Sequence, residues 1–292
     1  SDRVCGSSDG AMSNIETQPI AGALGAEVQG VDLSQPLGNN VTAALREAFL
    51  EHKVLFFRDQ TLTPETHLRA AGVFGEPDIY PFLQGLPDAP EVIEIIKTES
   101  DTANFGGSWH SDTAYLERPA LGTMLHALEV PTIGGDTQFA NTELAYASLS
   151  EGFKRVLDGL VGINSSEVGY QGGRAAGMAR IAGMSSAYLP EAETYEAEHP
   201  IVRTHPETGA KCLYISRSHT VRFKGMTAEE SRPLIEQLSK HITRPEFTCR
   251  FQWSDGAVAV WDNRTTQHSA LNDYHGHRRH MRRVTLKGDQ PY

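Results

Sequence analysis

Apolar and polar positions in this chain follow two periods. In "VTAALREAFLEH" (41–52), Val41, Leu45, Ala48 and Phe49 recur at helical spacing, which predicts an amphipathic helix. "KVLFFRD" (Lys53 to Asp59) follows as an unbroken apolar run and reads as a buried strand. Thr63-Pro64-Glu65 opens a second helix, with threonine as cap and proline at the first helical position. "EVIEIIKT" (Glu91 to Thr98), "LGTMLHALEV", "FTCRFQW", "AVAVWDN" and "RRHMRRVTLKG" read as strands, and "PTIGGDTQFAN" as a turn entering another. "HPIVRTHPETGAKCLYIS" reads as strand, turn, strand, with Pro206-Glu207-Thr208-Gly209 as the hairpin turn. "TELAYASLSEGFKRVLDGL" predicts one helix with Leu144, Leu149, Phe153, Val156 and Leu157 on its core side, and "TAEESRPLIEQLSKHI" predicts a later one. Residues 162–198 are the least regular part, either a lid over a site or a loose loop. Many strands at near-regular spacing, with helices clustered apart, predict an antiparallel sandwich or barrel with helical decoration. A doubly wound sheet needs strand and helix to alternate around a glycine-rich phosphate loop, and that pattern is missing.

Composition narrows the picture. The length of 292 residues suits one large domain, expected over 15–292, and the 39% hydrophobic and 22% charged content is that of a globular chain. Residues 1–14, "SDRVCGSSDGAMSN", are polar, lack the apolar core of a signal peptide and are expected to be a disordered tail or an added segment. The net charge of -11 argues against nucleic acid as a partner, and no apolar run is long enough for a membrane span. Cys5, Cys212 and Cys249 show neither disulfide-framework nor zinc-ribbon spacing, so a reducing cytoplasm is the expected location.

The candidate chemistry begins with "GSWHSDTAY". His110 and Asp112 are one residue apart, but with 12 histidines and 37 acids among 292 residues chance alone supplies about 1.5 such pairs. His205 and Glu207 form a second, in the predicted hairpin turn, where a solvated surface pair is expected. Around His110 the run resembles the start of a strand, whose period of two would turn both side chains to one face. Two metal ligands and a histidine hydrogen-bonded to a nearby carboxylate are both open readings. His268 follows the apolar strand "VAVWDN", where that strand opens into a loop, and would add a third ligand. Two imidazoles and one carboxylate suit non-haem Fe(II) with positions left open, although zinc hydrolases also use them. His275-Gly276-His277 sits in a turn and is expected to be exposed. In "RRHMRRVTL", Arg279 and Arg283 share a strand face with Met281 and Thr285, while Arg278, His280 and Arg282 share the other. Two inward guanidiniums suit two carboxylate-like anions, and a basic surface strand is the alternative.

With these residues in view the chain resembles the taurine dioxygenase (TauD/TfdA) family of Fe(II)- and 2-oxoglutarate-dependent dioxygenases. The matching segments are "WHSDTAY", "EVPTIGGDTQFAN", "HPIVRTHPETG", "VAVWDNRTTQHSALNDY" and "RRHMRRVTLKGD", with "IAGALGAEVQGVDLSQPL" and "HKVLFFRDQ" earlier. The resemblance implies a mainly β fold with α, a double-stranded β-helix (jelly roll) surrounded by helices under a mobile lid. It implies His110, Asp112 and His268 as iron ligands and catalytic centre, Thr137 and Arg279 on the distal carboxylate of 2-oxoglutarate, and Arg283 on an anionic substrate group. The implied reaction uses O2 to hydroxylate a small anionic organic substrate, a sulfonate, sulfate ester or carboxylate such as an aryloxyalkanoate, producing succinate and CO2. A homo-oligomer is common in the family.

Departures from the family pattern bear on the substrate. Tyr80, in "FGEPDIYPF", falls where taurine-acting members carry histidine, and an asparagine expected before the first ligand is replaced near Gly106. Tyr170 and His219 fall where aromatics line the substrate pocket, so taurine itself is disfavoured. A non-catalytic jelly-roll protein that binds an anion through the same arginines is the alternative reading.

Overall fold

In the computed structural model, which describes residues 15–168 and 172–292, the two strands with the most continuous apolar runs lie side by side. Val54–Phe57 and Val258–Asp262 are buried at every position. Alternation explains this. Leu55, Phe57, Val258 and Val260 pack against Leu45, Ala48 and Phe49 of the helix Asn39–His52. Val54, Phe56, Ala259 and Trp261 pack the opposite way, against Phe139 and Phe251. A strand covered on both faces has no solvent side on which to place polar residues, which is why these runs do not alternate.

The sheet runs in the order Glu16–Pro19, Ala26–Gln29, Val54–Phe57, Val258–Asp262, Gly122–Glu129, Arg279–Leu286, Pro77–Asp78, with Val92–Lys97 also paired to Arg279–Leu286. Among the described residues its pairings are antiparallel except that of Ala26–Gln29 with Val54–Phe57. A second sheet, Thr248–Phe251, Thr137–Asn141 and Thr266–Ala270, faces the first, and Phe56 stacks on Phe251 with centroids 4.0 Å apart. Each buried aromatic or aliphatic side chain contributes about 1.5–3 kcal/mol, so this interface is a main source of stability. The result is a mainly β jelly-roll core with helices outside. No helix among the described residues is long and apolar enough to cross a membrane.

The helix Pro64–Ala71 begins as expected, with Thr63 Oγ1 accepting from the Thr66 N–H at 3.2 Å. The helix Ala228–Ile242 is capped by a reciprocal pair, Thr227 Oγ1 accepting from Glu230 N–H and Glu230 Oε2 accepting from Thr227 N–H. The single helix expected from Thr142 is instead two, Thr142–Ala147 and Glu151–Leu157. Ser150 breaks the run, because its hydroxyl accepts from Phe153 N–H and starts a new helix with a different face. Leu144 and Val156, expected in the core, are therefore exposed. The stretch expected to be irregular contains the strands Val161–Ser165 and Glu196–Pro200 and two short helices, Arg174–Met178 and Ala182–Ser185.

His205 and Glu207 overturn the expectation of a solvated pair. His205 is buried, and its Nε2–H donates to Asp262 Oδ2 at 2.9 Å while its Nδ1 accepts from the Glu207 and Thr208 N–H groups. Glu207 pairs with Arg264 at 2.6 Å and with Arg46. The hairpin itself, Val202–Thr204 with Lys211–Leu213, forms as expected.

Candidate active site

His110 is not on a strand. It makes one isolated bridge, its N–H donating to His268 C=O at 3.1 Å and receiving the His268 N–H on its own C=O at 2.9 Å. Residues 111–118 then turn, with Thr113 at φ 52°, a left-handed conformation uncommon for a β-branched residue. Backbone pairing and a clasp, rather than strand alternation, bring His110 and Asp112 together. The clasp is Asn263, fully buried, whose Oδ1 accepts the Asp112 N–H at 2.6 Å and whose Nδ2 donates to the Asp112 and Ala120 carbonyls. Ser111 Oγ donates to Thr266 C=O, tying the same turn to the strand Thr266–Ala270. His268 lies in the middle of that strand, not at the opening of a loop as the sequence suggested.

The ligand atoms of His110, Asp112 and His268 all lie within 4.8 Å of one another. Thr123 Oγ1 donates to Asp112 Oδ2, leaving Oδ1 to face His110 Nε2 at 3.5 Å and His268 Nε2 at 3.7 Å. His110 Nδ1 lies 2.6 Å from Ser108 C=O, an acceptor only, so Nδ1 donates there and Nε2 is the nitrogen that faces the centre. Burial pushes His268 down to about 3, so its ring is neutral, the form that ligates metal. Burial also opposes ionisation of Asp112, but the adjacent Arg283 guanidinium outweighs it, and the carboxyl is held well below the usual range. Arg283 Nη2 lies 3.1 Å from Asp112 Oδ1 yet off the hydrogen-bond direction, so the contact acts through charge.

The three residues stand where two cavities meet. An outer cavity of about 510 Å³ is lined by His110, Asp112, Tyr80, Asn104, His219 and Arg283, among others. An inner one of about 40 Å³ is lined by His110, His268, Thr137, Leu125, Trp261 and Arg279. The strand Arg279–Leu286 serves both because Arg279, Met281, Arg283 and Thr285 turn inward and are buried. On its other face His280 and Arg282 pair with Glu94. Arg279 Nε and Nη2 are buried without a hydrogen-bond partner, and burial lowers the guanidinium from its ordinary value. The donors fit an incoming carboxylate, as two neutral nitrogens and a carboxylate oxygen fit Fe(II).

Tyr80, Gly106 and His219 line the outer cavity; Tyr170 lies outside the described residues. Two residues before Gly106, where the expected asparagine is replaced, stands another asparagine, Asn104. It lines the cavity, and its Nδ2 donates to Ala270 C=O at 2.9 Å. Sequence reasoning also missed Arg174, which lies 3.9 Å from the Phe82 ring centroid and donates to Tyr80 Oη at 3.4 Å. No spacing marks Arg174 in advance, whereas Asn104 was visible in "NFGGSWH". His275 and His277 are exposed, as expected.

The family profile described as "Taurine catabolism dioxygenase TauD, TfdA family" matches residues 16–285. The chain belongs to the TauD/TfdA family. Among relatives, an "Alkylsulfatase" of Acinetobacter baylyi is 36% identical over 277 residues, covering 94% of this chain and 86% of its own. An "Alpha-ketoglutarate-dependent sulfate ester dioxygenase" of Pseudomonas putida is 36% identical over 280 residues, covering 95% and 91%. A solved taurine dioxygenase from Burkholderia xenovorans matches with a TM-score of 0.79 and 37% identity, covering 95% of this chain and 91% of that one. As a TauD/TfdA member with this ligand set, the chain is a 2-oxoglutarate-dependent non-haem iron dioxygenase, and a non-catalytic anion-binding jelly roll is not supported.

Proposed function

We propose that this dioxygenase hydroxylates a small organic anion, with sulfate esters as the first class to test. The observation that carries the reading is a ligand triad at the junction of two cavities, each holding a buried arginine. His110, Asp112 and His268 would hold Fe(II). Thr137 and Arg279 would hold the distal carboxylate of 2-oxoglutarate in the inner cavity, and Arg283 the anionic substrate group in the outer one. Iron with 2-oxoglutarate and dioxygen supplies the oxidising chemistry, giving succinate and CO2 as one oxygen atom enters a substrate C–H bond.

The protein's own contribution is placement. Arg283, at the wall of the outer cavity beside Asp112, sets the anionic end of the substrate and therefore which carbon lies nearest the ligands. Tyr80, whose ring centroid lies 5.1 Å from the Arg283 guanidinium, Gly106 and His219 bound the space around it; Tyr170 is proposed as a further wall. Burial pushes His219 down to about 3, so it lines the cavity as a neutral ring and does not compete with the arginine for the anion. With a sulfate ester, hydroxylation at the carbon bearing the ester oxygen gives a product that collapses to an aldehyde and sulfate. Two relatives at 36% identity carry names of sulfate ester enzymes, which is why this class is tested first, with sulfonates and aryloxyalkanoates beside it. A cytoplasmic location and a homo-oligomer complete the proposal, the first resting on cysteine usage and the second on family habit.

The test is a panel of alkyl sulfates, sulfonates and aryloxyalkanoates incubated with Fe(II), 2-oxoglutarate and oxygen, with succinate and released sulfate quantified. Equimolar succinate, aldehyde and sulfate from an alkyl sulfate is the expected result. Succinate formation unaffected by any of the anions would overturn the assignment of substrate class.

A further inference from the structure

Trp253 is buried between two spaces. One side lines a surface groove of about 400 Å³ shared with Arg58 and Asp255. On the other, its indole Nε1–H donates to Thr137 Oγ1 at 2.9 Å, and the Arg279 guanidinium carbon lies 5.8 Å from its ring centroid.

A hydroxyl has one proton and two lone pairs, whereas an indole N–H can only donate. The Trp253 bond occupies one Thr137 lone pair, so the threonine proton has to point elsewhere, and among the described residues no acceptor takes it. Thr137 and Arg279 line the same inner cavity, where Arg279 Nε and Nη2 also lack partners. Buried donors without acceptors are costly. Three of them in one small cavity match a carboxylate, which accepts on both oxygens and donates nothing.

We propose that Trp253 is a positioning residue for the cosubstrate: its N–H holds the Thr137 hydroxyl as a donor toward the distal carboxylate, and its ring seals that cavity from the outer groove. The proposal rests on the 2-oxoglutarate assignment of the inner cavity. Without the indole N–H, the Thr137 hydroxyl rotates freely and spends part of its time donating elsewhere.

The test is anaerobic titration calorimetry of the Fe(II)-loaded protein with 2-oxoglutarate and with 2-oxobutyrate, which has the same chelating end but no distal carboxylate. Trp253→Phe keeps an aromatic ring and removes the donor. It is expected to weaken 2-oxoglutarate binding roughly three- to tenfold and leave 2-oxobutyrate binding unchanged. Thr137→Val is expected to cost at least as much, and adding Trp253→Phe to it should cost nothing further. If Trp253→Phe does not fold, benzothienylalanine at position 253 keeps the bicyclic ring and removes only the N–H. Unchanged 2-oxoglutarate affinity, an equal loss for both ligands, or additive losses in the double variant overturns the proposal. Absence of 2-oxoglutarate binding by the unaltered protein overturns the cavity assignment instead.

Discussion

His110 and Asp112 turn their ligand atoms toward a third residue across a cavity; His205 and Glu207, at the same spacing, give theirs to Asp262 and Arg264. Burial does not separate the two pairs, since His205 is more deeply buried than His110. Satisfaction does. Both ring nitrogens of His205 are occupied, one by a carboxylate and the other by two backbone N–H groups. Around His110 one carboxylate oxygen and two imidazole nitrogens remain turned toward one another without a hydrogen bond among them. One turn of chain serves both arrangements: Asn263 clasps the Asp112 backbone, while its neighbours Asp262 and Arg264 bind each other and the His205 hairpin. A histidine beside an acid thus becomes a metal site only where the fold withholds other partners.

The contrast can be broken most strongly at the histidines themselves. His110→Ala is expected to reduce succinate formation at least about a thousandfold and to lower bound iron, with little change in melting temperature. His205→Ala should leave bound iron and turnover within about twofold while destabilising the fold by about 3 kcal/mol, because Asp262 loses a buried partner. Metal analysis and thermal melts on both variants decide it, and loss of iron from the His205 variant would sink the distinction. Next in size, Asn263→Ala is expected to weaken Fe(II) affinity some 10–100-fold, the usual cost of removing a group that orients a ligand, as read by equilibrium dialysis.

Asp262 sharpens the same comparison through pH. Burial works against its ionisation, but hydrogen bonds from His205 and Arg264 outweigh it and hold the carboxyl far below its ordinary range. A depressed folded-state value means that the stabilisation is complete above about pH 4 and is lost as the pH falls below it. Asp262→Asn should therefore melt lower at pH 7, with the gap to the unaltered protein narrowing below pH 4; a gap independent of pH would count against the ionised network. The smallest expected effect is that of the double variant His275→Ala, His277→Ala. Both residues are exposed, so stability should stay within about 0.5 kcal/mol and bound iron should not change.

What the sequence made legible was what short range decides. "VLFF" and "VAVW" announce strands because both faces are covered, and the Thr63 and Thr227 caps mark helix starts within four residues. The ligand set, Thr137 and the two inward arginines were legible through family pattern and strand period. The reason His110 meets Asp112 was not, since it depends on a bridge to His268 and on an asparagine 151 positions away. His205 was misread for the same reason: its partner lies 57 positions on, and nothing in "THPETG" shows that the histidine at the base of this exposed turn points inward. The broken helix at Ser148–Ser150 was a local error, in which a serine cap passed for an interior residue.

The bridge between His110 and His268 also has a consequence for biosynthesis. Ser111 and Thr266, which tie the same turn to the same strand, are 155 positions apart, and both arginines of the cavities follow later still. A chain emerging from the ribosome therefore holds His110 and Asp112 while more than 150 further residues are added before His268, and Arg279 and Arg283 come after it. The triad is complete only once His268 has been made, and Arg279 and Arg283 follow within fifteen residues, so the capacity for oxidation arrives together with the walls that confine it.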